Sequence, residues 1–242
     1  MLAAAWPAGQ RYELLHDWVL TLERFGLASF GWGVAWLDED GDVQARRGLG
    51  RYTDEAAGAG LLDVRSTRFL VHLRRPNKLS TVQFADTQPF TREHDYAFCH
   101  NGFFDRAETL RPSYQERLRG GADSEVGWCF VQDRIDEGVE PLDVLREVDE
   151  TFRGKVNLGY LDRRGALAVY SNNLANAVWR FTARGADLAS TSLHSDDDSV
   201  FTLVYPESQD RRLVPAGTAV LLGADEVGEP LVASGNGNGV SR

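Results

Sequence analysis

With 242 residues, 43% of them hydrophobic and 26% charged, the chain has room for one large domain or two small ones and the balance of an ordinary globular protein. A formal charge of −10 excludes the basic footprint that nucleic-acid binding needs to neutralise phosphates. No apolar run approaches the roughly 18 residues of a membrane span, and the opening "MLAAAWPAGQR" has no basic n-region, so no signal peptide is read.

In chain order, residues 10–28 place Leu15, Trp18, Val19, Leu22 and Phe25 at helical spacing, with Gly26 as a stop. "GWGVAWLDEDGDVQARRG" reads as a hairpin turning at Asp40-Gly41. Residues 67–74, "TRFLVHLR", form a buried strand, and a long loop leads to a short strand, "YAFCH". Residues 105–118 read as partly helical, with Pro112 expected to break or restart the helix. Two helices follow, "SEVGWCFVQDRIDEG" and "PLDVLREVDETFRG", the second opened by Pro141 and closed by Gly154. "KVNLGYLDRRGALAVYSNN" is a second hairpin, and strands are expected at 177–182, 188–192, 200–204 and 218–222. No repeat or linker is visible. The expectation is one α+β domain over residues 1–225 and a flexible tail over 226–242.

Several stretches carry candidate chemistry. Cys99 sits beside His100, but neighbours on a strand point to opposite faces, so Cys99 reads as a core residue rather than an activated nucleophile. Two cysteines without a secretory signal point to reduced thiols in a cytoplasm. Asn101-Gly102 is either a plain turn or an oxyanion hole, an amide side chain and a close backbone N–H converging on one oxygen. In "HLRRP", Arg74 or Arg75 is either a surface arginine or a fork for a carboxylate. Asp123 in "GGADSEVGW" is either a helix N-cap or an anchor for a substrate ammonium. "HSDDDS" reads as a solvated loop and His72 as a packed strand residue.

The order "GWGVAW", "HLRRP", "TQPF", "FCHNGFFD", "ADSE" resembles the class II glutamine amidotransferases, strongly over residues 27–130 and weakly to about 222. Within that family it looks most like the stand-alone, single-domain members. The resemblance implies the four-layer αββα sandwich of N-terminal nucleophile hydrolases: two mostly antiparallel sheets flanked by helices. It implies that Arg74 clamps the α-carboxylate of glutamine or a γ-glutamyl group and that Asp123 holds the α-ammonium. Asn101 and Gly102 would form the oxyanion hole, and Trp32 would sit near the site. It implies no metal and no organic cofactor. The partner is a small-molecule substrate, with room for a separate synthase that accepts the ammonia.

One departure matters. The family's nucleophile is a cysteine at the mature N-terminus, whose own amino group is the base, whereas this sequence opens Met1-Leu2-Ala3. Two readings follow. In the first, the natural start lies upstream and supplies the cysteine, with "LAAAW" as the remainder of the first strand, and the protein hydrolyses a γ-glutamyl amide. In the second, it is a catalytically inactive binding protein of amidotransferase type.

Overall fold

The computed structural model describes residues 1–223 apart from 27, 77 and 194–196. The elements run β1 (Leu2–Arg11), α1 (Glu13–Gly26), β2 (Trp32–Leu37), β3 (Val43–Gly48), α2 (Tyr52–Glu55), β4 (Arg65–Leu73), β5 (Phe90–Arg92) and β6 (Tyr96–Phe104). They continue with α3 (Ala107–Tyr114), α4 (Asp123–Asp136), α5 (Pro141–Phe152), β7 (Gly154–Asp162), β8 (Leu167–Asn172), β9 (Val178–Ala183), β10 (Ala186–Thr191), α6 (Asp198–Val204), β11 (Gln209–Leu213) and β12 (Thr218–Leu222).

The strands form two sheets, one of seven in the order β11-β9-β10-β1-β4-β2-β3 and one of five in the order β12-β8-β7-β6-β5. The pairs are antiparallel throughout, as the hairpin signals suggested. Side-chain alternation then makes three apolar layers. Along β1, Leu2, Ala4 and Trp6 join α1, through Leu15, Trp18 and Leu22, in one core. Met1, Ala3 and Ala5 point the other way and meet Ala97, Cys99, Leu161 and Val169 of the second sheet. The far face of that sheet, with Phe98, Leu158 and Tyr170, is covered by α4 and α5 through Val126, Val131, Leu145 and Val148. The result is helix, sheet, sheet, helix: the αββα sandwich.

Two local expectations are corrected. Residues 200–204 are helical, not extended. The Asp197 side chain caps this helix by accepting from Ser199 N at 2.8 Å, and Phe201, Val204 and Tyr205 then fall on one buried face. Pro112 lies inside α3 rather than breaking it, the helix closing two residues later at Tyr114. The expected tail and residues 194–196 of "HSDDDS" lie outside the described residues. Among the described residues no helix is long and apolar enough to cross a membrane.

Candidate active site

Antiparallel pairing brings the start of β1 to the ends of β4 and β10. At this end of the sandwich a cavity of about 180 Å³ opens between the sheets. Arg74, Asn101, Gly102 and Asp123, four residues from three separate segments, all line it. Trp32 does not. Its ring packs in the helix-side core, and its Nε1 donates to Glu55 Oε2 at 2.8 Å.

Arg74 follows directly on β4, its N–H held by Gly31 O at 2.9 Å. The side chain is buried. Nη2 donates to Thr81 Oγ1 at 2.8 Å, while buried Nη1 has no partner among the described residues. Burial lowers the guanidinium pKa, and Asp86 and Asp123 oppose that shift. Arginine stays charged in such a setting, so Nη1 is an unanswered cationic donor at the cavity wall.

Asp123 is the first residue of α4 rather than its N-cap, which is Ala122. Its Oδ2 accepts from Phe104 N at 2.8 Å and its Oδ1 from Ser124 N at 2.9 Å. The carboxylate thus ties α4 to the end of β6 while lining the cavity. Behind it, the fully buried Asp86 accepts from Ala122 N at 2.8 Å and Gly121 N at 3.1 Å.

Asn101 and Gly102 continue β6 past Cys99 and His100. Gly102 has φ 147°, and a Cβ there would stand 1.7 Å from the Lys155 carbonyl oxygen, so the close approach needs glycine. Asn101 Oδ1 accepts from Asn176 Nδ2 at 3.0 Å. His100 turns to the helix side. Its ring stacks on Phe104 at 3.7 Å, and Nδ1 lies 3.0 Å from Ser124 Oγ. Its backbone N–H donates to Gln88 Oε1 at 2.6 Å, which fastens the "QPF" loop to the strand. Burial lowers the His100 pKa, against a smaller upward pull from Asp123.

Both cysteines are buried, free thiols. Cys99 is fully buried in the inter-sheet layer, and burial pushes its thiol up to about 12. Cys129 is buried in α4 and also raised by burial. The Met1 amino group donates to Thr191 Oγ1 at 3.1 Å, and burial lowers its pKa to about 6. His72 is buried nearby with Nδ1 unpartnered among the described residues.

The site brings the buried Arg74 guanidinium, the Asp123 carboxylate and the Asn101-Gly102 amides to one cavity. The sequence signals for class II glutamine amidotransferases and this geometry coincide, and the family model for Glutamine amidotransferases class-II matches residues 17–213. The chain belongs to the class II glutamine amidotransferases.

Solved structures of this amidotransferase fold align along nearly the whole chain. The phosphoribosylpyrophosphate amidotransferase of B. subtilis, complexed with ADP and GMP, aligns at TM-score 0.68 with 16% identity, covering 91% of this chain and 46% of that one. A structure described as the allosteric regulatory enzyme of purine biosynthesis aligns at 0.69 with 17% identity and the same coverage. A class-II domain protein from Silicibacter pomeroyi aligns at 0.59 with 18% identity, covering 92% of this chain and 94% of that one. At such identities the likeness carries the fold alone. The amidotransferase chain described here spans about half the length of the first two. No curated protein sequence matches it.

Three residues at the site escaped the sequence reading: Asp86, Gln88 and Asn176. Gln88 sat inside a quoted motif. Asp86 and Asn176 act across 36 and 75 residues of chain, with no local pattern to mark them.

Proposed function

We propose that the cavity binds the amino-acid head of glutamine or a γ-glutamyl compound. Arg74 takes the α-carboxylate and Asp123 the α-ammonium. Asn101 and Gly102 donate to the δ-carbonyl oxygen as it becomes an oxyanion. The observation that carries this reading is the unpartnered Arg74 Nη1, buried in a wall that faces Asp123 across one cavity. A buried guanidinium donor without an acceptor is costly, and a carboxylate answers it with a charge-assisted bond. Anchoring the head group leaves the δ-carbon oriented for attack. One oxyanion donor is worth on the order of 3 kcal/mol in such sites.

On this reading the reaction is amide hydrolysis through a thioester on an N-terminal cysteine. The thiol sulfur attacks the δ-carbon, and its proton passes through the N-terminal amine to the departing nitrogen. Cleavage of the C–N bond releases ammonia or an amine. Water then attacks the thioester, freeing glutamate and restoring the thiol. A separate synthase that uses the ammonia, in the cytoplasm, completes this reading. The second reading is a binding protein without turnover, in which the same anchors hold the head group and neither Cys99 nor Cys129 lines the cavity.

The test is ammonia release from L-glutamine by protein from its natural source, with the N-terminus read by mass spectrometry. An N-terminal cysteine with ammonia release supports the enzyme. Saturable glutamate binding, a different first residue and no release support the binding protein. Neither binding nor release overturns both.

A further inference from the structure

The two ends of an asparagine amide are nearly the same size and opposite in hydrogen-bonding sense, so something else must decide which end faces a ligand. Asn101 lines the cavity at the end of β6. Its Oδ1 is taken by Asn176 Nδ2 at 3.0 Å, which leaves its Nδ2 for the cavity.

Asn176 is itself held. It is buried at the end of a short 3-10 turn, Leu174–Asn176, between β8 and β9. Its N–H donates to Asn173 O at 2.9 Å. Its own carbonyl accepts from Asn157 Nδ2 at 2.7 Å. A backbone carbonyl can only accept, so the Asn157 amide is fixed too, and its Oδ1 takes Ser171 Oγ at 3.3 Å. Asn157 is fully buried and pairs with Asn101 in the β6–β7 ladder. Hydrogen bonds thus run from Ser171 through Asn157 to the Asn176 backbone, which holds the Asn176 side chain against Asn101.

We infer that Asn176 is a positioning residue that turns the Asn101 amide donor-first into the cavity. The inference rests on the proposed reading of Asn101 as a donor to the substrate's δ-oxygen. A reversed Asn176 would present its carbonyl oxygen, the Asn101 amide would turn to donate to it, and an acceptor would face the developing oxyanion. The device therefore sets the sign of the site at that point.

The near-isosteric variant Asn176→Asp tests this, because the introduced carboxylate can only accept. It removes the donor that holds Asn101 Oδ1 and gives Asn101 Nδ2 a reason to turn away. L-glutamate, whose δ-carboxylate reaches the oxyanion position, and L-norvaline, which lacks δ-oxygens, are titrated into both proteins by calorimetry. Wild-type protein should prefer glutamate by about tenfold or more, the weight of a charge-assisted bond. Asn176→Asp should lose that preference and keep its norvaline affinity. A retained preference, or an equal loss for both ligands, overturns the assignment. A second readout needs no ligand: in ¹H–¹⁵N spectra one Asn101 side-chain amide proton should move downfield and exchange more slowly in Asn176→Asp. An unmoved Asn101 pair overturns it as well. Wild-type protein that binds neither ligand defeats the reading of Arg74 and Asp123, and the Asn101 spectrum then decides alone.

Discussion

Gly102 shows how one residue can be constrained by sterics and function together. Its φ of 147° and the Lys155 carbonyl oxygen 1.7 Å from any added Cβ leave no room for a side chain. Gly102→Ala should destabilise the fold by about 3 kcal/mol, combining backbone strain with overlap. Urea denaturation reads this directly, and wild-type stability would count against the steric argument. The buried histidines make a pH prediction. Burial, reinforced by Arg74 and His100, holds His72 well below the ordinary 6.5. Burial also lowers His100, with Asp123 opposing. Both take up a proton less readily folded than unfolded, so the unfolded chain binds more protons as pH falls through 6.5. Stability from these groups is therefore complete above that pH and is lost as pH falls. The slope is up to about 1.4 kcal/mol per pH unit for each histidine. Urea midpoints taken downward from about pH 7 should show it. His72→Asn should flatten the slope, and an unchanged slope would contradict the assignment. The sequence placed Cys99 and His100 on opposite faces because strand alternation is local. It could not show that Asp123 also grips Phe104 N, a contact that depends on where α4 docks.

At the scale of elements, the cavity depends on loops held by buried carboxylates. Asp86 receives Gly121 N, Ala122 N and Gln83 Nε2, so the segment just before "TQPF" holds the turn that launches α4. Asp86→Ala would orphan those donors at about 1–3 kcal/mol. It should also weaken glutamate binding, because Asp123 sits at the start of that helix. Paired denaturation and titration check both, and a loss of stability with binding intact would limit Asp86 to a purely structural role. The element reading worked where one signal dominated, as with Pro141 opening α5 and the turn between β7 and β8. It failed at α6, where "VFTLV" has the composition of a strand and the Asp197 cap, only two residues from Ser199, decides for helix. It also missed β11, whose "QDRRL" has no strand signature and exists because β9 offers a free edge.

At the scale of the whole molecule, the sandwich depends on a thin inter-sheet layer. Ala3, Ala5, Ala35, Ala97 and Ala189 let the two sheets close around Cys99 and Leu161. Ala3→Leu should therefore overpack this layer and cost about 1–3 kcal/mol, read as a lowered denaturation midpoint. A neutral result would mean the layer has slack. The fold was legible through the family resemblance carried by the motif order, with "HLRRP" at the end of β4, "HNG" late in β6 and "ADSE" at the start of α4. The cavity was legible only as a set of residues. Its closing contacts, Asn176 to Asn101 and Asp86 to Ala122, join segments far apart in the chain and carry no periodic pattern. The central claim is that Arg74 and Asp123 together read an amino-acid head group. Calorimetric titration of L-glutamate into wild-type, Arg74→Ala and Asp123→Ala proteins tests it most directly. Saturable binding should be lost by about a hundredfold or more in each variant, as expected for removing one partner of a desolvated charge pair. Unchanged affinity in both variants would contradict the account.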